Sequence, residues 1–219
     1  HHNSLIMMAS STTAKVGKRM VGKLRIENTA FLLCDVQERF RSLIYRGETI
    51  IRTARYMTDV AKELGIPVIV TEQYKKVFGP TVAECFSDTA TANDASSATF
   101  QKKLFSMCTN EMKEYCTSST EMKDRSSFVL FGIEAHVCVQ QTALDLLEDG
   151  HEVHIVVDGV TSQQPFDREI ALQRMSKAGA YLTTAQSAAF MLMQTAEHPN
   201  FKAVSKLTVE HMKLSNEFN

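Results

Sequence analysis

The chain has 219 residues, of which 44% are hydrophobic and 22% charged, and its formal net charge is -1. That length suits a single domain, and the apolar share can fill a real core. A balanced charge gives no overall electrostatic reason to bind nucleic acid or an acidic membrane surface, and no apolar run approaches the roughly 18–20 residues that span a bilayer.

His1-His2-Asn3-Ser4 has the composition of an expression-tag remnant and is set aside. Between Met8 and Ile26 stand Lys15, Lys18, Arg19, Lys23 and Arg25 with no acid. Residues 1–26 therefore read as a tag remnant and a flexible basic arm, with an organelle transit segment, and so a mitochondrial location, as the alternative. The cysteines are Cys34, Cys85, Cys108, Cys116 and Cys138. Their odd number and the lack of a C-x-x-C pair argue against a disulfide framework and a zinc knuckle, and for a reducing, cytoplasmic setting.

From Asn28 the chain alternates short apolar runs with helical patterns. Ala30–Cys34 predicts a buried strand. Ile50, Ile51, Ala54, Met57, Val60, Ala61 and Leu64 recur at helical spacing and predict an amphipathic helix over Thr49–Leu64, ended by Gly65. The run from Pro67 to Glu72 predicts the next strand, joined by a right-handed crossover. The middle is less regular. It predicts a short helix and a loop across the polar stretch Ser87–Thr99, a third strand near Ala98–Lys103, and a helix over Glu111–Cys116. Further on come a strand at Ser127–Phe131 and a helix at Val137–Leu147 with Ala143, Leu144 and Leu147 toward the sheet. A strand at Val153–Val157, a helix at Asp167–Ala178 and a strand at Ala180–Thr183 complete the pattern. Repeated units with β-branched runs imply a three-layer α/β/α fold around a six-stranded, mostly parallel, Rossmann-like sheet. The domain is expected over 27–206, with a partly ordered tail over 207–219.

In such a sheet ligands bind beyond the strands' carboxyl ends, where strand order reverses. With the order 3-2-1-4-5-6, Asp35 after the first strand and Cys138 after the fourth are neighbours at that point, and Lys102 or Lys103 arrives from the third. Each has a plain structural reading: Cys138 as a small buried hydrophobe, Asp35 as a turn cap, the lysines as solvated surface. Their joint placement at three strand ends points instead to an activated thiol.

The sequence resembles the isochorismatase-like cysteine hydrolases, specifically the isochorismatase-domain proteins of eukaryotes, from about Asn28 to Lys206. The likeness rests on Asp35-Val36-Gln37-Glu38-Arg39-Phe40, Thr71-Glu72-Gln73, Lys102 ahead of Phe105-Ser106-Met107, Gly132 through Val139, and Val157-Asp158-Gly159-Val160. The resemblance implies a triad of Asp35, Lys102 and Cys138, with Lys103 as the alternative lysine. It implies a cis peptide between Ile133 and Glu134, with the N–H groups of Glu134 and Cys138 as oxyanion donors. It also implies self-association as a dimer or larger, and no cofactor.

Nicotinamidases of this superfamily bind a divalent metal through histidines after the second strand. Thr71-Glu72-Gln73-Tyr74-Lys75-Lys76 has none, so no metal is expected. Cleavage of isochorismate's vinyl ether does not need the cysteine, so Cys138 favours an amide, imide or ureide carbonyl in a small-molecule substrate. Phe40, Gln73, Tyr74, Phe105 and His136 are the expected pocket wall. His136, two residues from the thiol at a turn, is expected in that wall rather than as a general base. Two other functions compete: a binding or scaffold protein on a relict site, and a ribonuclease-associated role.

Overall fold

The computed structural model describes residues 21–87 and 92–213. The tag remnant, most of the basic arm with its targeting alternative, part of the polar middle loop and the last residues of the tail lie outside the described residues.

Six parallel strands form one sheet: β1 (Thr29–Cys34), β2 (Val68–Gln73), β3 (Ala98–Lys102), β4 (Ser127–Ile133), β5 (Glu152–Thr161) and β6 (Tyr181–Thr183), in the order β3-β2-β1-β4-β5-β6. The helices are α1 (Gly47–Leu64), α2 (Lys75–Phe78), α3 (Ala92–Ala95), α4 (Asn110–Ser118), α5 (Gln140–Glu148), α6 (Pro165–Ala178), α7 (Ala185–Met193) and α8 (Phe201–Met212). Alternation along β1 divides the core. Phe31 and Leu33 face α1, α7 and α8, whereas Ala30, Leu32 and Cys34 face α4, α5 and α6. Every residue of β1, β2 and β4 is buried, as a parallel sheet covered on both faces requires. The three-layer fold and strand order agree with the sequence pattern.

Local chemistry sets the element ends. Gly65 takes the left-handed conformation (φ 64) that closes α1, and Pro165 occupies the first turn of α6, where its missing N–H costs nothing. β5 is longer than expected because its register against β4 slips between Leu130 and Gly132. The Val157-Asp158-Gly159-Val160 motif spans that slip. Arg168 donates to the carbonyls of Val157 and Val160, and Asp158 Oδ1 accepts the N–H of Ala185 (2.8 Å) at the start of α7. Burial raises the Asp158 pKa.

Two expectations need correction. The expected tail does not begin at residue 207: α8 runs to Met212 and docks on α1. Tyr56 reaches the Thr208 hydroxyl at 2.8 Å and stacks on His211 with ring centroids 4.5 Å apart, so polar and aromatic contacts hold this helix where an aliphatic period is weak. The helix after β4 also has a different phase. Thr142, Ala143 and Leu146 are its buried residues, while Leu144 and Leu147 are only partly buried. A five-residue π-turn, Ala135–Val139, precedes α5 and rotates it.

Among the described residues no helix is long and apolar enough to cross a membrane.

Candidate active site

β1 and β4 meet closely where the strand order reverses. Gly132 pairs with Cys34 at φ +140, and a Cβ there would lie 2.1 Å from the Cys34 carbonyl oxygen, so only glycine fits. The next residue, Asp35, is itself left-handed (φ 52), a conformation that costs a non-glycine residue on the order of 1–3 kcal/mol. Its buried carboxylate is surrounded by donors. Thr71 Oγ1 donates to Oδ1 at 2.8 Å and Lys102 Nζ to Oδ2 at 2.7 Å.

Lys102 is the last residue of β3, and its side chain has no solvent exposure. Besides Asp35, its ammonium contacts Gln73 Oε1 (2.7 Å) and the carbonyls of Phe105 (2.7 Å) and Leu104 (3.2 Å). Burial works against this charge, but the nearby Cys34, Asp35 and Cys138 outweigh it and raise the Lys102 pKa. The adjacent Lys103 is exposed and lies over the Tyr74 ring, 5.0 Å from its centroid. The register that pairs Gln73 with Lys102 across β2 and β3 turns Lys102 inward and leaves Lys103 outside.

The second strand's polar end is built by the same period. Thr71 and Gln73 point toward Asp35 and Lys102. Glu72 points the other way, accepting from Thr81 N–H (2.8 Å) and pairing with Lys75 (2.8 Å). Gln37, fully enclosed, locks this strand end: its Oε1 accepts the Gln73 N–H (2.7 Å) and its Nε2 donates to Gln73 O (3.0 Å) and Gly79 O (2.6 Å). The sequence assigns Gln37 no task beyond its place in the Asp35–Phe40 motif.

Cys138 sits in the π-turn, 5% exposed. Its carbonyl accepts Thr142 Oγ1 (2.6 Å), which in turn accepts the N–H of Met107 (2.9 Å), tying the turn to the chain beyond β3. Cys34 lies beside it. The Cys34 thiol shares a hydrogen bond with Cys138 and approaches Asp35 Oδ2 at 3.6 Å; burial first, and then these neighbours, raise its pKa well above the ordinary value. Burial likewise holds Cys85 up, and pushes Cys108 and Cys116 to about 11.

The thiol opens on a cavity of about 440 Å³, a size that suits a small molecule. A model of the isochorismatase domain matches residues 29–187, most of the chain. The chain belongs to the isochorismatase family. The secreted isochorismatase effector Isc1 of Phytophthora sojae is 42% identical over 92% of this chain and 94% of its own. Isochorismatase domain-containing protein 2 of Xenopus laevis is 41% identical over 88% and 89%. The MAR1 ribonuclease structure from Caenorhabditis elegans superimposes with a TM-score of 0.76 at 40% identity, covering 85% of this chain and 92% of that one. These likenesses group the chain with the isochorismatase-family hydrolases.

In this family member Phe40, Gln73, Phe105 and His136 line the cavity, whereas Tyr74 does not. Tyr74 is left-handed (φ 36) and turned outward under Lys103. Sequence reasoning missed Phe78, Gln163, Gln164 and Asp167, which come from α2 and from the strand-to-helix turn after β5. The rule that ligands gather at strand carboxyl ends pointed to that turn. Glu134 lines the cavity too. The expected cis bond before it is absent: among the described residues every peptide is trans, and the chain reverses through Glu134 in the left-handed region (φ 57, ψ 61) and the wide π-turn that follows. His136 is engaged at the rim. Its Nδ1 lies 2.9 Å from Ser162 Oγ and 3.4 Å from Glu134, and its Nε2 3.8 Å from Asp167. Among the described residues no three His, Cys, Asp or Glu side chains are grouped to hold a metal ion.

Proposed function

We propose that this protein is a cysteine hydrolase that cleaves an amide, imide or ureide carbonyl of a small molecule through a Cys138 thioester, without a metal. The observation that carries the reading is the fully buried Asp35–Lys102 pair close to a cysteine that opens on a cavity. An ion pair desolvated to this degree is costly to build and adds little stability over an apolar pair, so its presence near a thiol calls for a chemical task.

Asp35 takes the Cys138 proton, and the Lys102 cation favours the resulting thiolate. Sulfur attacks the carbonyl carbon, and the N–H groups of Glu134 and Cys138 receive the oxyanion, each worth roughly 2.7–4 kcal/mol by analogy with a protease. Asp35 then gives its proton to the leaving nitrogen. The thioester is released by water that Asp35 deprotonates, which regenerates acid and thiol. We also infer self-association, because α6 and β6 expose Phe166, Ile170 and Leu182.

A ribonuclease reading is favoured by the name of the Caenorhabditis elegans relative. Against it stand the balanced charge and a cavity lined by carboxylates. The relict-scaffold reading has the buried pair against it. The test is time-resolved alkylation with iodoacetamide followed by peptide mass mapping, with turnover of an amide panel by wild type and Cys138→Ala. Cys138 should label first, and the variant should stay folded and lose turnover. Equal, slow labelling of all five cysteines would remove the nucleophile.

A further inference from the structure

The cavity's charge is one-sided. Among the described residues its lining includes two carboxylates, Glu134 and Asp167, one imidazole, His136, and three amides, Gln73, Gln163 and Gln164, but no lysine or arginine. The nearest cation described beneath the sulfur, Lys102, is already used: Asp35 balances its charge, and Gln73 with two backbone carbonyls occupies its remaining donors. Arg41, on the segment that carries Phe40, is paired with Glu48 and Glu84. A carboxylate on a substrate would therefore enter beside two like charges, with no lysine or arginine among the described residues that line the cavity.

The rim's hydrogen bonding points the same way. Gln163 Nε2 donates to Glu134 Oε1 at 3.0 Å, and the other Glu134 oxygen faces the His136 ring, so acceptors at this edge are oriented by neighbours. The opposite wall is apolar, where Phe40 and Phe78 stack with centroids 4.7 Å apart.

We propose that the cavity selects an uncharged or positively charged acyl substrate, whose N–H groups donate to Glu134 and Asp167 while its apolar body lies on Phe40 and Phe78, and that it rejects carboxylate-bearing molecules. Dicarboxylates of the isochorismate type are among those rejected. The inference rests on Cys138 being the reactive group in this cavity, and it assigns the substrate class that the reaction alone leaves open.

Two methanethiosulfonates of matched size provide the test, one ending in trimethylammonium and the other in sulfonate. In each the Cys138 thiolate attacks the sulfenyl sulfur, a mixed disulfide forms, and methanesulfinate leaves. Labelling rates at Cys138, followed by mass spectrometry, are divided by the rates of the same reagents with free N-acetylcysteine. The normalised preference for the cation should be about tenfold at low salt, the lower end of electrostatic focusing by a charged cleft, and should shrink as salt is added. Asp167→Asn, at a half-exposed position, and Glu134→Gln should each reduce it. A normalised ratio at or below one would overturn the charge selection while leaving the nucleophile intact. Labelling of Cys138 by neither reagent, nor by iodoacetamide, would overturn both.

Discussion

The two sides of the Cys138 sulfur are built on opposite principles. Beneath it, Asp35 and Lys102 are 2% and 0% exposed in their side chains and each oxygen or proton has a fixed destination. Above it, Glu134, His136 and Asp167 are 13%, 34% and 44% exposed and joined by longer contacts of 3.4 and 3.8 Å. Geometry enforced by burial suits a reaction that must run identically each time. A solvated rim can change residue by residue without upsetting the core, so substrate choice belongs there.

Substitutions can break this contrast. Lys102→Met should have the largest effect, because it strands the Asp35 carboxylate in the interior. A loss of about 3–5 kcal/mol in urea unfolding is expected, and Asp35→Asn added to it should restore much of that stability without restoring Cys138 reactivity. Unchanged stability in the single variant would mean that the pair is not desolvated in solution.

His154 separates burial from pairing, since it is as buried as Lys102 but its Nε2 has no hydrogen-bond partner and its ring stacks on Tyr181. Burial lowers its pKa from 6.5 to about 4. The folded state therefore resists the proton that the unfolded chain accepts. Its contribution is fully present above pH 6.5 and is lost as pH falls toward 4, by about 2–3 kcal/mol. Thermal melts across that window should lose their slope in His154→Phe, and an unchanged slope would assign the acid sensitivity to other groups.

Gln37→Leu removes three hydrogen bonds from the Gln73 backbone and Gly79. It should cost about 1–3 kcal/mol and slow alkylation of Cys138, because Gln73 would no longer be fixed against Lys102. Full retention of the alkylation rate would show that Lys102 needs no such support. The smallest change is expected at the rim, where Asp167→Asn should move stability by less than about 0.5 kcal/mol. A large loss of stability there would erase the distinction between floor and rim.

How much of this could be read from the sequence follows the same division. Continuous apolar runs marked β1 and β4, and all strands end at the same carboxyl edge, so Asp35 after β1, Lys102 at the end of β3 and Cys138 in the turn after β4 were legible as neighbours. The choice of Lys102 over Lys103 needed the pairing of Gln73 with Lys102 across β2 and β3, which period alone does not fix. The phase of α5 was misread because a π-turn leaves no mark in apolar spacing. The rim was mostly hidden. Gln163 and Gln164 belong to a polar turn whose composition is that of any surface loop, Asp167 stands in the first turn of α6, and only folding brings them over the thiol. The missing cis bond and the outward Tyr74 share one cause: single residues, Glu134 and Tyr74, adopt left-handed backbone that their identities do not announce.

The backbone approach of Gly132 to Cys34 also governs when the site comes into existence. Asp35, Thr71, Gln73 and Lys102 all lie in the first half of the sheet, which is synthesised as one continuous piece. The thiol reaches them only when β4 closes on β1 across a loop of about a hundred residues, a slow and entropically costly step. Until that strand is seated, Cys138 stands apart from the buried Asp35–Lys102 pair, and the three meet only once the centre of the sheet has closed.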